Sequence, residues 1–524
     1  MRYFRKGKRI PRRRTKEFGM QSCFTGISPV SLRGILNEAE LFGGDDYLML
    51  NCVTNVEQLR PGDVYFAIRT PQKDGHARID EAVLRGAGAI VSEKMTDNPF
   101  KMTADEKLVP LFLVRSTQSA YSRACQALYR FPSRQLNVVG ITGTSGKTMT
   151  AFLTAAVLGA ADQNVGLLNS LGCFDGRDAS ANTITDLPPK RTSSWMSRML
   201  QNDCSHAVME ISSHALAQSR MEGIDLQTLC ITNVMRDHID IHGSLENYRK
   251  AKMRIFESLV CGGTAVLNAD DPITAEVKRW LRVPTVTFGL NEAADVSAMV
   301  LEQLPSEQTI LLSAGAETLP LRTQIVGNHH ICNCLAAAAL GIAMGIDLPT
   351  IVRGIESVEM IPGRMERLEC GQPFSVFVDA ARTPEELRDT LHFLREVVDG
   401  RILTVFGVSG NQTRARRPMM GDIVSKLSSR LILTDMNPGA EAPEKIVQEL
   451  LSGIQPRCMK RVAVCHDRKK AIHQALAMAE PGDCVLIAGK GNEKFQLIGK
   501  ETPRHDDREI ARRWLFRNAE RYMD

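Results

Sequence analysis

The stretch VVGITGTSGKTMTAFLTAAVLGAADQ, residues 138–163, decides the fold. It opens as an apolar run, breaks at Gly143 and Gly146, and resumes as an alanine- and leucine-rich segment with Lys147 and Thr148 at the junction. A buried-type strand that turns through glycines into a helix is the repeating unit of a parallel α/β sheet. Glycines let backbone N–H groups approach phosphate closely, and the helix start supplies the positive end of its dipole. A lysine neutralises β/γ oxygens and a threonine hydroxyl can ligate Mg²⁺. The strict G-x-x-x-x-G-K-[ST] pattern needs glycine at 141 and meets Ile141; the spacing here is GxxGxxGKT, starting at Gly140. A glycine turn can join strand to helix without binding anything, but this combination at such a junction points to a nucleoside triphosphate.

Working outward, "DVYFAI" (63–68), "HARIDEAVLRGAGAIVSE" (76–93) and "VPLFLV" (109–114) read as a small α/β unit before the loop. After it come the buried-type strands "HAVMEI" (206–211), "TLCITNV" (228–234) and "GTAVLNA" (263–269), with helices between them. Beyond "MIPGRMERL" (360–368) the strands "FSVFVDA", "RILTVFGV", "RLILTD" and "DCVLIAG" form a third α/β block. Continuous apolar strands alternating with amphipathic helices predict parallel sheets covered on both faces, with ligands at the strand ends. The expected division is a disordered basic tail over 1–24, an N-terminal domain over 25–115, a central nucleotide-binding domain over 116–361 and a Rossmann-like C-terminal domain over 362–524.

Composition narrows the class. The 524 residues are 43% hydrophobic, enough for several ordinary cores, and the 13 cysteines include no CxxC pair. Cys204, Cys230, Cys332, Cys334 and Cys484 sit in apolar segments and read as buried small side chains in a reduced compartment. Without a long apolar run or a leader pattern, a cytoplasmic chain that neither spans nor binds a membrane is expected. The net charge of +5 comes from the start: residues 1–19 carry nine Lys and Arg against one Glu, or +8, leaving −3 for the remainder. Such a tail suits phosphate contacts, but a remote extension explains it as well, and no nucleic-acid partner is expected.

Two further stretches carry chemistry. "VMEISSHALAQSR" (208–220) puts Glu210 at the end of one apolar strand, and "TNVMRDHIDIHGSLENYRKAKMRIF" (232–256) puts Asp237 and His238 after another. Either alone is commonly structural; together, behind a phosphate loop, they suggest a metal site. With "LNADD", "GRMERL", "RRPMMG", "TDMNP" and "GKGNEKFQ" following in order, the chain resembles the Mur ligase family, nearest its UDP-N-acetylmuramoyl-tripeptide synthetase (MurE type) branch. The likeness covers everything after the basic tail.

The resemblance implies a reaction. A Mur ligase transfers the γ-phosphoryl group of ATP to a substrate carboxylate, and an amino acid's amine then displaces phosphate. By position, Gly143, Thr144, Ser145, Gly146, Lys147 and Thr148 would bind ATP, with Asn268, Asn333 and Asp379 around its adenosine and Arg364, which matches an arginine near the interdomain hinge, completing the ATP-binding set. Thr148, Glu210 and His238 would surround Mg²⁺, and Lys252 matches a lysine that the family carbamylates, although a solvated helix lysine is the plain reading of the residue itself. Lys147, Lys252, Glu210 and His238 are thus the expected catalytic set. Ser212, Gln218 and Arg220 would hold the UDP-sugar peptide, though Arg220 could equally cap its helix or pair with Glu222, and Asn268 in "NADDP" also reads as an ordinary Asx turn. Asn437, Gly489 and Glu493 would hold the added amino acid. A monomer acting on small molecules is expected.

The departures from the family pattern gather on the recognition side. A uridine-binding DSR becomes Asn55-Val56-Glu57, and a TTP segment falls near Thr185-Asp186-Leu187. DYAHTP becomes "DAARTP" (379–384), GGDRD becomes "SGNQT" (409–413), GKGHE becomes "GKGNE", and "GNHHICN" (327–333) offers His330 for an asparagine. The two arginines that engage the distal carboxylate of diaminopimelate in members adding it are here Gln412 and Gly439. Two rivals stay open: a ligase for another carboxylate, of the folylpolyglutamate or cyanophycin synthetase kind, and a non-catalytic nucleotide-binding scaffold.

Overall fold

The computed structural model describes residues 29–70, 73–96, 101, 108–181, 186–235, 237, 239–410 and 414–518. The expected basic tail, His238, Gln412 and Thr185 lie outside them. The chain divides into two compact units. The first takes in the described parts of Met1–Thr142, Gln163–Leu229 and Lys250–Thr264; the second those of Gly143–Asp162, Cys230–Arg249 and Ala265–Asp524.

In the first unit, strands Cys52–Val53, Val64–Phe66, Ala89–Ser92 and Leu111–Leu113 pair in parallel in chain order, with Glu40–Phe42 antiparallel on the last. Alternate residues enter different cores: Val64, Phe66 and Val91 pack with Leu32 and Leu128, while Tyr65 and Ile90 pack with Ile79 and Val83. That is the period-2 consequence of a sheet covered on both faces. The strand Asn137–Thr142 pairs in parallel with His206–Glu210, which pairs in parallel with Val165–Asn169. Antiparallel Gly172–Phe174 and Ala179–Ala181 finish that edge.

In the second unit, the helix Lys147–Ala160 packs against Asn328–Ala343 and Leu348–Glu356. The contact with the last is close, since a side chain on Gly354 would meet the Val157 backbone at 2.5 Å. The end of strand Leu259–Asn268 pairs in parallel with Thr285–Gly289, which leads through Val296–Gln303 into an antiparallel meander ending at Glu317–Thr323.

The C-terminal sheet runs Ser375–Asp379, Cys484–Ala488, Ile402–Phe406, Arg430–Leu433 and Val462–Val464, all parallel, with Glu366–Arg367 antiparallel at one edge. Cys484, Leu486 and Ala488 face one core, and Val485 and Ile487 the other. Helix Pro384–Val397 on the first face starts at a capping box of Thr383 and Glu386 with proline at the first turn. The expected α/β class with a Rossmann-like C-terminal part is what forms. Cys204, Cys230, Cys334 and Cys484 are buried as expected, while Cys332 is only part-buried, on a helix turn whose neighbours Ile331 and Asn333 are buried.

Candidate active site

The chain leaves Thr142 through Gly143 (φ 157°) and Gly146 (φ 82°) before the helix Lys147–Ala160 begins. A side chain on either glycine would force a neighbour to move. A Cβ on Gly143 would lie 1.8 Å from Thr232 Oγ1, and one on Gly146 would lie 2.2 Å from Asn333 Oδ1. The loop is braced from below: Asn233 Oδ1 accepts from the backbone N–H groups of Thr144 and Ser145, both at 3.0 Å, and Thr232 Oγ1 donates to Ser145 O at 2.6 Å. Thr144 Oγ1 is 2.8 Å from the Tyr248 hydroxyl, whose ionisation is pushed up by burial. The Lys147 ammonium donates to Gly143 O (3.1 Å) and Thr144 O (2.9 Å), and Thr148 is buried one residue on. No side chain caps this helix. A cation, a helix start and a loop with glycine at both ends are the features that suit an anion of triphosphate type.

Around the loop, Asn268 donates to Thr232 O at 2.8 Å and accepts from Asp270 N at 2.9 Å, so the Asx-turn reading of "NADDP" is realised. Asp271 accepts from Val234 N at 2.8 Å and caps the following helix. Asn333 Nδ2 lies 3.3 Å from His330 Nδ1, and burial holds the His330 imidazole well below its ordinary pKa. Asp379 accepts from Met365 N (2.8 Å) and Ala381 N (2.9 Å), which brings it beside the Arg364 segment. Asp237 is engaged by Arg416 at 2.7 Å, a carboxylate turned to a C-terminal arginine.

In the first unit, Glu210 Oε2 accepts from Ser170 N at 3.0 Å at its strand end. Lys252 is 1% exposed, so the solvated helix lysine does not describe it: Tyr248 and Ala251 are buried on the same stretch. Ser212 caps the helix Ser213–Ala217. Gln218 Oε1 accepts from Arg220 Nε (2.9 Å) and NH2 (2.6 Å), and Arg220 NH1 donates to Asp186 O at 3.4 Å. The proposed Arg220–Glu222 alternative is not formed; Glu222 lies 3.8 Å from Arg254. In the N-terminal domain Asn55 caps a short 3₁₀ turn, Val56 is buried, and Glu57 is 3.6 Å from Arg78.

A second cluster follows Ala488. Lys490 Nζ donates to Asn437 Oδ1 (3.0 Å), Glu493 Oε2 (3.2 Å) and Phe495 O (2.7 Å), and Asn437 Nδ2 donates to Glu493 Oε2 at 2.8 Å. Arg382 reaches Glu493 Oε1 at 3.4 Å. Burial pushes the Lys490 ammonium down; burial also works against the Glu493 charge, but Arg382 and Lys490 hold that carboxyl below its ordinary value. Gly489, at φ 108°, starts the loop. Sequence reasoning assigned no role to Lys490, Asn233 or Tyr248. For Lys490 the signal was present, a lysine between two glycines directly after a buried strand. For the other two there was none, since polar residues at strand ends and mid-helix are common.

Among the described residues, no three His, Cys, Asp or Glu side chains converge on a metal position, and no helix is long and apolar enough to cross a membrane.

Residues 141–341 match the Mur ligase middle domain, and residues 363–491 the Mur ligase, glutamate ligase domain. The chain is 33% identical over 456 residues, 87% of its length and 92% of the relative's, to the UDP-N-acetylmuramoyl-L-alanyl-D-glutamate--2,6-diaminopimelate ligase of Syntrophomonas wolfei. A solved structure of a ligase with the same name superimposes with a TM-score of 0.65 at 25% identity, covering 93% of this chain and 99% of that one. Folylpolyglutamate synthase of Mycobacterium tuberculosis, solved with ADP and AMPPCP, shares the fold with a TM-score of 0.58 at 19% identity over 71% of this chain and 92% of its own.

Proposed function

The chain belongs to the Mur ligase family, and we propose that it joins an amino acid to the carboxylate of a UDP-N-acetylmuramoyl-dipeptide or a close relative at the expense of ATP. A carboxylate oxygen attacks the γ-phosphorus, ADP leaves, and an acyl phosphate remains. The amine nitrogen then attacks the acyl carbon, phosphate leaves, and the amine gives up a proton. In this reading residues 25–115 take the nucleotide-sugar end, 116–361 the ATP and 362–524 the amino acid. The observation that carries it is the loop before the helix: two glycines at which a side chain would crowd Thr232 or Asn333, a lysine over the loop and a helix start with no side-chain cap.

Lys147 is assigned to the γ-phosphate, and Thr148, Glu210 and His238 to Mg²⁺. The hydroxyl and carboxylate oxygens suit a hard cation, the imidazole being the borderline ligand of the three, and the bound charge would offset that building on the transferred phosphoryl group. Lys252 is assigned as carbamylated. Once its ammonium has given up a proton, the amine nitrogen attacks CO₂ and loses a second proton, leaving a carbamate anion suited to metal-rich surroundings. Ser212, Gln218 and Arg220 are assigned to the acceptor, and Asn268, Asn333, Arg364 and Asp379 to the nucleoside.

Asn437, Gly489 and Glu493 are assigned to the amino acid. Beside them, Gly439 stands where diaminopimelate-adding members have an arginine. Three nearby cations are already engaged, Lys490 and Arg382 by Glu493 and Arg414 by Glu441 at 3.0 Å. A second carboxylate on the substrate would lack a charged partner, so diaminopimelate is disfavoured, unlike in the named relatives. A second reading, a different acceptor carboxylate, is favoured by the N-terminal loop, where buried Val56 and the Glu57 carboxylate replace a hydroxyl and a cation. ATP turnover measured with UDP-linked and unlinked γ-glutamyl acceptors tests both: turnover restricted to the unlinked acceptor would overturn the first reading.

A further inference from the structure

Behind the loop that follows Ala488 lies a buried ion pair to which the ligase reading gives no task. Strand Cys484–Ala488 pairs with Ser375–Asp379 as far as Asp379↔Ala488, but its ladder with Ile402–Phe406 ends at Val405↔Ile487. The Ala488 carbonyl therefore lies one residue beyond that ladder in a residue with no exposed surface, and a buried carbonyl needs a donor. Arg468 supplies it, NH2 donating to Ala488 O at 2.9 Å. The same guanidinium grips Asp507 through Nε at 3.0 Å and NH2 at 2.8 Å, with both side chains fully buried. His505 Nε2 lies 2.9 Å from Asp507 Oδ1, and the His505 backbone N–H donates to Lys494 O at 2.8 Å. Asp507 is thus tied to both ends of one loop, through Arg468 where it begins and through His505 where it finishes. Gly489, Lys490 and Glu493 lie between those ends.

We propose that Arg468 and Asp507, with His505, are positioning residues for the amino-acid subsite, a clamp on residues 489–493 that fixes where Lys490 and Glu493 stand. The inference rests on the assignment of Asn437, Gly489 and Glu493 to that subsite. Stability alone does not account for the pair, because a buried ion pair can often be exchanged for apolar residues of similar volume without loss. What apolar residues cannot supply is a donor to the Ala488 carbonyl. Burial by itself would raise the Asp507 carboxyl, yet Arg468 and His505 hold it well below its ordinary value, so the pair stays ionised near neutral pH.

The test measures KM for the amino acid and for ATP, with thermal midpoints, on the full-length enzyme and three variants. The double variant Arg468→Met, Asp507→Leu removes both charges together. Because the Ala488 carbonyl loses its donor it is expected to melt below the wild type but to fold, while its amino-acid KM rises about 10- to 100-fold, the scale of supporting-shell losses, and its ATP KM stays within about twofold. Arg468→Lys keeps a charge beside Asp507 without the fork that also reaches Ala488, and should show the same split at smaller size; it carries the test if the double variant fails to fold. An unchanged amino-acid KM in the variants that fold, or equal rises in both constants, would overturn the clamp. Glu493→Gln separates the layers: if it leaves the amino-acid KM unchanged, the subsite assignment falls and the clamp with it.

Discussion

Two loops of the second unit look alike in sequence and differ in physics. Each leaves a buried parallel strand through a glycine and places a lysine beside glycine, Gly146-Lys147 in one and Gly489-Lys490-Gly491 in the other. After Lys147 a 14-residue helix begins, and the ammonium rests on the carbonyls of its own loop. No helix follows Lys490, whose buried ammonium is bound by Asn437, Glu493 and the Phe495 carbonyl. The difference teaches that glycine and lysine do not themselves make an anion site. The helix start adds what they lack, and without it the same residues brace the Glu493 carboxylate instead.

Substitutions can break that contrast. Lys147→Ala is expected to lower ATP-dependent amide formation by at least about 100-fold, since the charge on the transferred phosphoryl is lost; activity within tenfold of wild type in a coupled ADP assay would contradict it. Lys490→Met should instead act on the amino acid, raising its KM with little change in that for ATP, as steady-state titrations of each substrate will reveal. Lys252→Ala is expected to be nearly inactive and partly restored by millimolar formate or acetate standing in for the carbamate; an active unrescued variant would remove the carbamate from the account.

Smaller effects sharpen it. Gly146→Ala forces a Cβ into the left-handed region against Asn333, costing about 1–2 kcal/mol of backbone strain, readable as a lowered urea midpoint. Asp507 gives a signed pH test. Its folded pKa is depressed, so its contribution to stability is complete above the unfolded value of about 3.9 and is lost as pH falls toward the folded one. The melting difference between wild type and Asp507→Asn should therefore be constant from neutral pH down to about 4 and shrink only below it; a difference already vanishing at pH 6 would be inconsistent. Deleting residues 1–19 should leave turnover within about twofold if that segment is remote from the chemistry.

Much of the fold was legible because its signals are local and repetitive: apolar strands alternating with capped helices, and glycines at a strand–helix junction. The phosphate loop was readable for the same reason, each requirement falling within six residues. The rest depends on contacts distant in sequence. Asn233 braces the loop from 88 positions away, and the burial of Lys252 cannot be seen in a helix of mixed charge. Arg468 and Asp507, 39 positions apart, each look like ordinary helix-start residues. Departures such as Gly439 and Arg382 were visible, but that Arg382 and Arg414 are already engaged by Glu493 and Glu441 emerges only in three dimensions.

The central claim is that the phosphate machinery is complete while the site for a second carboxylate is not. It is tested most directly by incubating the purified enzyme with ATP, Mg²⁺, UDP-N-acetylmuramoyl-L-alanyl-D-glutamate and an equimolar mixture of diaminopimelate, lysine, ornithine and small neutral amino acids, then weighing the products by mass spectrometry. One amide per ADP formed is expected, carrying an amino acid without a second carboxylate. A product dominated by diaminopimelate, or ADP released without any amide, would contradict it.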